Sequence, residues 1–240
     1  MFDRKEIKEK AKAAFKANYW KSVLVSFIMS AITGATVRTS GSTTANTANN
    51  AAGTENINEL ASNVQNDPKV LAIIIGAIVT IVLILVAVDL VLSAFLLNPI
   101  EMGSKSFFMK NSYNPETPLD EIERGFTPSY KRNVKTMFFR DILVFLWSLL
   151  LIVPGIIKSY AYSLVPYILA EDQDIEPKDA LRKSEDMMKG HKWELFVLRL
   201  SFIGWDLLDI LTLGLLNIFY TGPYYKAAMA EFYNVLKENV

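Results

Sequence analysis

Cysteine is absent from the 240-residue sequence, and histidine occurs once, as His191. Without cysteine the chain can form no disulfide, no thiolate metal site and no cysteine nucleophile. One histidine cannot build a multi-histidine metal site. Net charge is also absent, since 25 basic residues balance 25 acidic ones, and such a chain has no overall basic field to attract nucleic acid. We therefore expect no cofactor and no nucleic-acid partner.

Charged residues are also missing from several long apolar segments. The chain is 51% hydrophobic with a mean hydropathy of +0.23, which is near the upper edge for a soluble domain and decides little by itself. The longest apolar segment, Val70–Leu97, has 28 residues and one charge, Asp89. As a helix it would extend about 42 Å, more than the roughly 30 Å of a bilayer's hydrocarbon core. This pattern predicts transmembrane helices, and the sequence has no strand pattern.

Residues 2–18 predict an amphipathic helix at the membrane interface. Asp3 and Glu6 have the spacing of a helix-capping pair. Apolar residues then line one face: Ile7, Ala11, Ala14 and Phe15. The segment leads into a first predicted span, Trp20–Val37. A cleavable signal peptide is the alternative, but its amino-terminal part would be unusually long and would carry three acidic residues.

Two segments between the predicted spans are polar. Residues 38–68 are rich in Ser, Thr, Asn and Ala, and they cannot bury enough apolar surface to order themselves, so we expect a loop outside the cytoplasm. Residues 98–135 are predicted to lie on the cytoplasmic side. Asn98 and Pro99 have the pattern of a helix N-cap followed by a first-turn proline, which predicts that a new helix begins there.

The segment from 137 to 170 allows two interpretations. Met137–Val153 and Gly155–Ala170 are each 16 or 17 residues long, at or just below the lower limit for a transmembrane helix. Pro154 and Gly155 between them favour a turn. We therefore predict a hairpin of two short spans, with a single kinked helix as the alternative.

Residues 171–192 predict an amphipathic helix on the cytoplasmic side. Pro177 lies in its first turn, and Gly190 lies just past its end. One face carries Ala180, Leu181, Ser184, Met187 and Met188. Two further spans are predicted to follow, Trp193–Leu213 and Leu215–Asn234.

These segments together predict an all-α fold, a polytopic transmembrane bundle of six spans that forms one membrane domain over residues 1–240. With six spans, 21 of the 25 Lys and Arg residues lie on one side. The positive-inside rule places that side, and both termini, in the cytoplasm of a multi-pass cell-membrane protein. A five-span alternative would move the five basic residues of 171–192 outside, which the same rule disfavours.

Several short motifs carry a resemblance to a known family. They are Pro154-Gly155, Pro166-Tyr167, the segment Lys189–Leu195, the segment Phe202–Trp205 and Pro223-Tyr224-Tyr225. With the lysine-rich N-terminal helix, they resemble the bacterial membrane proteins of domain-of-unknown-function family 975, although the long polar loop departs from that pattern. The resemblance implies a helical inner-membrane protein with no established activity. A fainter resemblance, to the membrane domain of some glycerophosphodiester phosphodiesterases, implies no phosphodiesterase activity because the catalytic domain is missing.

Five charged residues fall within the predicted spans, where charge is costly and suggests function by default: Asp89, Arg199, Asp206, Asp209 and Lys226. From the helical rise, Asp89 and Arg199 lie about 12 and 9 Å from the cytoplasmic side. We predict that these two side chains pair, with Lys226 as an alternative partner for Asp89. The competing interpretations are that the pair only fixes helix packing, or that Arg199 reaches the lipid headgroups.

Asp206 and Asp209 are three residues apart in the outer half of the fifth predicted span. Such a pair of carboxylates can relay protons or bind a cation, and Lys158 could neutralise one of them. The alternative is a helix end beside a wet crevice. His191 follows Gly190 at the predicted membrane surface, where we expect an interfacial residue and not a catalyst.

The sequence favours a non-enzymatic membrane scaffold or partner-binding protein. Its Met187–Met188 face and its lysine-rich N-terminus would contact the lipid bilayer or another membrane protein. A small-solute or ion transporter or channel that uses the intramembrane charges is the alternative. An enzyme comes third, because the sequence has no GxSxG, phosphate-loop or HExxH motif. Nothing in the sequence predicts the oligomeric state.

The predicted Asp89–Arg199 pair can be tested by a double-mutant cycle. We expect Asp89→Asn alone to destabilise the protein more than Asp89→Asn combined with Arg199→Gln, because the single change leaves an uncompensated charge. Thermal unfolding of the purified variants measures both effects. Purely additive effects would show that the two residues do not interact.

Overall fold

The structure, a computed structural model, describes residues 3–31, 68–126 and 129–238. In these ranges the chain is helical and contains no strand, so the all-α prediction is confirmed. The chain divides into two compact units, Met1–Ser30 with Ala94–Val240, and Ala31–Ser93. Residues 32–67 lie outside the described residues, and they include nearly all of the predicted polar loop 38–68 and the end of the first predicted span.

The helices in chain order begin with α1 (Arg4–Ala17), α2 (residues 19–31) and α3 (Pro68–Leu92). Helix α3 is the long described helix of the second unit. Most of the described side chains of α3 are apolar and exposed, including neighbours in sequence such as Ile81, Val82, Leu83, Ile84 and Leu85. Since successive helical residues point in different directions, the helix is apolar on all sides.

The rest of the first unit consists of two helical hairpins and the helices that pack between them. A π-helix (Ser93–Leu97) precedes α4 (Asn98–Asn111), which is followed by a 3-10 helix (Leu119–Phe126). The later helices are α5 (Tyr130–Leu150), α6 (Ile152–Ala161), α7 (Val165–Glu171), α8 (Pro177–Met187), α9 (Lys192–Leu200) and α10 (Ile203–Leu211). A second π-helix (Asn217–Thr221) leads into α11 (Gly222–Glu238).

The predicted N-terminal amphipathic helix is present as α1, with the Asp3 side chain accepting a hydrogen bond from the Lys5 backbone at 2.8 Å. Its apolar face was expected at a membrane interface, but Ile7, Ala11 and Phe15 are buried in the core, where α1 packs on α11. The interfacial assignment is therefore wrong for this face. An apolar stripe at helical spacing will be covered, but the spacing does not say whether lipid or protein covers it.

Helix α4 lies in the core, although residues 98–135 were predicted to be a peripheral cytoplasmic segment. Met102, Phe107 and Phe108 are almost fully buried. Asn98 is not the N-cap that the sequence suggested, because Leu97 occupies that position without a side-chain cap. The Asn98 amide instead donates to the Asp141 carboxylate at 2.8 Å.

Two glycines let α4 and the 3-10 helix approach closely. A Cβ atom added at Gly103 would lie 1.9 Å from the Ile122 carbonyl oxygen, and one added at Gly125 would lie 1.8 Å from the Pro99 carbonyl oxygen. Both obstacles are backbone atoms, which cannot rotate away as a flexible side chain can. The contact therefore requires glycine at both positions.

Helices α5 and α6 form a hairpin, so a single kinked helix is excluded. The chain reverses at Leu151, whose backbone is extended (φ −158°, ψ 139°). Pro154 and Gly155, which were expected to form the turn, lie instead in the first turn of α6. Gly155 packs against α5, because a Cβ there would lie 2.6 Å from the Cα of Ser148.

The amphipathic helix predicted in 171–192 is present as α8, and Gly190 beyond its end has φ +81°. The face expected to contact lipid or a partner is buried against α5 and α7, with Met187 and Met188 at 3% and 0% exposure. The Ser184 hydroxyl on this face donates to the Ala161 carbonyl at 2.7 Å. The predicted external contact through Met187 and Met188 is therefore wrong.

The second hairpin joins α9 and α10 to α11. Ser201 and Phe202 interrupt the first arm, and the Lys8 ammonium donates to the Ser201 carbonyl at 3.4 Å. The turn uses positive φ angles at Leu213 (54°) and Gly214 (88°). The two predicted spans of this region are therefore a broken helix and a helix that begins with a π segment.

One stretch among the described residues, Ile152–Glu171, is long and apolar enough to cross a membrane, and half of it is buried inside the protein. Ala72–Leu85 is a shorter apolar helix. These findings do not support six spans. Many apolar side chains nevertheless remain exposed at the tips of both hairpins, including Ile152, Leu211 and Leu213.

We expect Gly103→Ala to lower the free energy of unfolding by about 3 kcal/mol, because an extra methyl group in a rigid backbone contact must displace one of the two segments. Gly204→Ala is the matched control, since a Cβ at this helical glycine meets nothing within 4 Å. It should be neutral or stabilising by up to about 1 kcal/mol. Thermal unfolding under identical conditions measures both variants, and equal effects would contradict the packing role of Gly103.

Candidate functional site

Two neighbouring helices bring four charged side chains together. Glu101 of α4 contacts Lys105 of the same helix at 2.8 Å and Arg140 of α5 at 3.3 Å. Arg140 also contacts the adjacent Asp141 at 2.7 Å. Glu101 therefore joins two cations on different helices.

Local sequence spacing produces this arrangement. Glu101 and Lys105 are four residues apart, so they lie on one face of α4 in the favourable order for a helical ion pair. Arg140 and Asp141 follow the basic first turns of α5. The Asn98–Asp141 hydrogen bond fixes the start of α4 beside this part of α5.

For Glu101, the attraction of its partners outweighs the cost of removing the carboxylate from water. Burial alone would raise the pKa of Glu101, but the charges of Lys105 and Arg140 lower it to about 2. Burial lowers the pKa of Lys105, with a further contribution from Arg140 and Arg199, and the attraction of Glu101 offsets this only in part. Glu101 is therefore the anion on which the local charge balance depends.

Arg199 and Lys226, two of the residues singled out from the sequence, lie beside this group. The Arg199 guanidinium lies 4.9 Å from the centre of the Tyr160 ring, and its charge acts on Lys105. Lys226 donates to the Ser26 carbonyl at 3.3 Å, and the charges of Lys105 and Glu101 act on it.

We call these six residues the charged cluster: Glu101, Lys105, Arg140, Asp141, Arg199 and Lys226. Four carry positive charge and two carry negative charge, so the cluster has a surplus of two positive charges. Among the side chains that the structure describes, which leave out Asp89, Arg199 has no carboxylate within 4 Å. Glu101 and Asp141, the two carboxylates of the cluster, contact Lys105 and Arg140 but do not contact Arg199.

A cleft of about 510 Å³ opens beside five members of the cluster. Its volume lies in the range of small-molecule pockets. Hydroxyl groups and apolar side chains complete its lining: Val144, Phe145, Ser148, Ser159, Tyr162, Ser163 and Met229. Charged and apolar side chains therefore share the lining, since Val144 and Phe145 follow Arg140 and Asp141 by one turn of α5.

The other charged residues predicted from the sequence have different surroundings. The side chain of Asp89 lies outside the described residues, so its pairing with Arg199 stays a prediction. The Asp209 carboxylate accepts a hydrogen bond from the Asn217 backbone at 2.6 Å and so stabilises the turn after α10. Asp206 is exposed. Lys158 does not neutralise either aspartate, because it pairs with Glu185 at 2.7 Å.

Sequence reasoning missed most of the cluster. Glu101 and Lys105 were assigned to a peripheral segment, and Arg140 and Asp141 were not singled out although they lie inside a predicted span. The available signal was the i, i+4 spacing of Glu101 and Lys105 next to the apolar α3 segment. That spacing shows that the two residues share a helix face, but not that α5 covers the face.

His191 contacts Glu194 at 2.5 Å at the start of α9. Among residues 3–31, 68–126 and 129–238, no group of three His, Asp or Glu side chains is arranged to hold a metal ion.

These features define an all-helical protein with a charged cleft and exposed apolar hairpin tips. Comparison with protein families matches residues 70–240 to the family described as "Protein of unknown function (DUF975)", so the chain belongs to this family. The resemblance seen in the sequence is thereby confirmed. Neither the curated proteins nor the solved structures gave a match.

We expect Glu101→Gln to destabilise the protein by about 3 kcal/mol, because it leaves two partly buried cations without their shared anion. Combining it with Lys105→Met should cost less than the sum of the two single changes. Since folding lowers the pKa of Glu101 from 4.5 to about 2, this stabilisation is complete above pH 4.5 and is lost as the pH falls toward 2.

Glu6→Gln is the control, because it removes an exposed ion pair with Lys10 on α1 and should change stability by less than about 1 kcal/mol. Chemical or thermal unfolding between pH 2 and pH 7 measures all four variants. Equal losses for Glu101→Gln and Glu6→Gln would show that the cluster contributes no more than a surface pair.

Proposed function

We propose that the protein is a non-enzymatic membrane protein that anchors itself in the bilayer through its apolar hairpin tips. The observation that carries this proposal is the exposure of large aliphatic side chains at both turns. Ile152 is 76% exposed, Leu211 is 82% exposed and Leu213 is 94% exposed. In water, so much contiguous apolar surface would favour aggregation, whereas lipid would cover it.

The backbone of the second turn supports the same proposal. Lipid offers no hydrogen-bond partners, so polar backbone groups inside a bilayer must be satisfied within the protein. The amide groups of Leu213, Gly214 and Leu215 donate to the carbonyl groups of Ile210, Asp209 and Thr212. In the first turn, the Leu151 amide donates to the Trp147 carbonyl at 3.1 Å.

Each hairpin is basic at its open end and apolar at its tip. Helix α5 begins with Lys131, Arg132 and Lys135 and ends in a run of exposed leucines. The second hairpin begins at Lys192 and ends near Lys237. By the positive-inside rule, the basic ends would face the cytoplasm of the cell membrane and the tips would point into the bilayer.

The depth of the first hairpin favours entry without crossing. From Ile142 to Leu150, beyond Arg140 and Asp141, the uncharged part of α5 has a length of about 14 Å, against about 30 Å for the hydrocarbon core. We therefore propose that this hairpin ends inside the bilayer, which replaces two of the six predicted spans. Helix α3, which is apolar between Val70 and Val88, is a further candidate anchor.

A scaffold or partner-binding role is the activity this arrangement supports best. With the Met187–Met188 face buried, the surfaces left for another membrane protein are the exposed lysine-rich sides of α1 and α8. A transporter is the second candidate, and the observation that favours it is the charged cleft.

Site-specific fluorescence tests the membrane proposal. The chain has no cysteine, so replacing Leu151, Leu213 or Lys183 by cysteine, one at a time, allows one polarity-sensitive dye to be attached at that position. In lipid vesicles we expect nitroxides on the acyl chains to quench the dyes at 151 and 213 strongly, because both tips would lie among the chains. The dye at 183, on the exposed side of α8, should be quenched little. The dye is placed at position 183 because the neighbouring Ser184 is fully buried.

Equal quenching at all three positions would contradict membrane insertion of the tips. A membrane-impermeant maleimide applied to cells separates the two topologies. We expect no labelling at 151 from outside the cell, because the first hairpin ends within the bilayer. Labelling of 151 from outside would show that this hairpin crosses the membrane, as the six-span prediction requires.

A further inference from the structure

We propose that the cleft beside the charged cluster binds the phosphodiester group of an anionic phospholipid, with Arg199 as the principal ligand. The inference rests on the proposed membrane location and adds a ligand and a site to it. The observations that carry it are the contacts of Arg199, the surplus charge of the cleft and the apolar side chains that line it.

Arg199 is oriented to bind an anion. Its guanidinium lies over the Tyr160 ring at 4.9 Å and donates a hydrogen bond to the Tyr225 hydroxyl. The group has five N–H donors, so the others remain able to donate to a ligand. Among the side chains that the structure describes, which leave out Asp89, no carboxylate lies within 4 Å of it. A phosphate group accepts two parallel hydrogen bonds from this edge.

The charge of the cleft matches one negative charge. Glu101 and Asp141 balance Lys105 and Arg140, as the ion pairs at 2.8 and 2.7 Å show. Arg199 then leaves a surplus of one positive charge among the lining residues. A phosphodiester carries one negative charge and would neutralise it. Lys226, beside these residues, strengthens the positive potential.

Hydroxyl groups add donors that can turn toward the ligand. The hydroxyls of Ser148, Ser159 and Ser163 line the cleft and donate to carbonyl groups of their own helices at 2.8 to 2.9 Å. A hydroxyl hydrogen rotates freely about its C–O bond, so each group can donate to an entering phosphate oxygen instead.

The apolar part of the lining identifies a lipid as the source of the phosphate. Val144 and Phe145 line the same cleft, and Phe145 is 64% exposed. They continue into the exposed leucines of the α5 tip, such as Leu149. A headgroup in the cleft would therefore leave its acyl chains along an apolar surface, whereas free phosphate would use the charged side chains alone.

Native mass spectrometry of the full-length protein in a neutral detergent tests the site. Phosphatidylglycerol, with a net charge of −1, is titrated against phosphatidylcholine, whose phosphodiester is balanced by its own quaternary ammonium group. We expect retention of phosphatidylglycerol, about tenfold weaker binding in Arg199→Gln, and an intermediate loss in Arg199→Lys, which keeps the charge but not the planar donor edge. Arg182→Gln, on the exposed side of α8, removes the same charge and should bind within about twofold of the unaltered protein.

Each contrary result has a definite meaning. Equal weakening by Arg199→Gln and Arg182→Gln, in proteins with unchanged melting temperatures, would overturn the site in favour of nonspecific surface attraction. Displacement of the lipid by equimolar inorganic phosphate would overturn the lipid as the source. If the dyes at 151 and 213 are quenched in vesicles but phosphatidylglycerol is not retained, this inference fails while the membrane proposal stands.

Discussion

The packing of the first unit depends most directly on the two ion pairs made by the Glu101 carboxylate. It holds Lys105 on its own helix and Arg140 on the next one, so it fixes α4 against α5 through a partly buried contact. Removing a buried anion from between two cations costs more than the ion pairs contribute, because the cations stay behind. The close glycine contacts of α4 with the 3-10 helix then set its other side. Together they confine α4 between two neighbours.

The ion pairs of α4 continue into a network of charged and polar side chains on α5. Arg140 shares Glu101 with Lys105 and contacts Asp141, while Asp141 receives the amide of Asn98. Each of these groups is satisfied inside the protein. Arg199 differs, because neither carboxylate of the cluster contacts it and its described contacts are the Tyr160 ring and the Tyr225 hydroxyl. It is therefore the member of the cluster to which we assign the ligand. A charge kept without a carboxylate partner lowers stability unless something else binds it, which is why the cleft is a better candidate for function than the balanced pairs.

The sequence predicted helix positions better than helix surroundings. Residues 2–18, 98 onward and 177–187 all begin helices near the expected places, since capping residues, prolines and periodicity act locally. Glu101 and Arg140 were missed because they meet across 39 positions of sequence, and no local pattern encodes that contact. At Pro154-Gly155 the hairpin was predicted correctly but its turn was not, because the chain reverses at Leu151. Gly155 is required there by its approach to Ser148 and not by the turn itself.

The same limit explains why the apolar faces of α1 and α8 were assigned to the wrong environment. A stripe of apolar residues contributes free energy when it leaves water, and the gain is similar whether protein or lipid replaces the water. The spacing of apolar residues along a helix therefore predicts that its apolar face will be removed from water. What covers it depends on the partners available: α11 covers Phe15, and α5 and α7 cover Met188. At the hairpin tips, Leu151 and Leu213 are 61% and 94% exposed, and no other described helix of the first unit covers them. That remaining surface, and not the periodicity of any one helix, is the strongest argument that part of this chain uses lipid as its solvent.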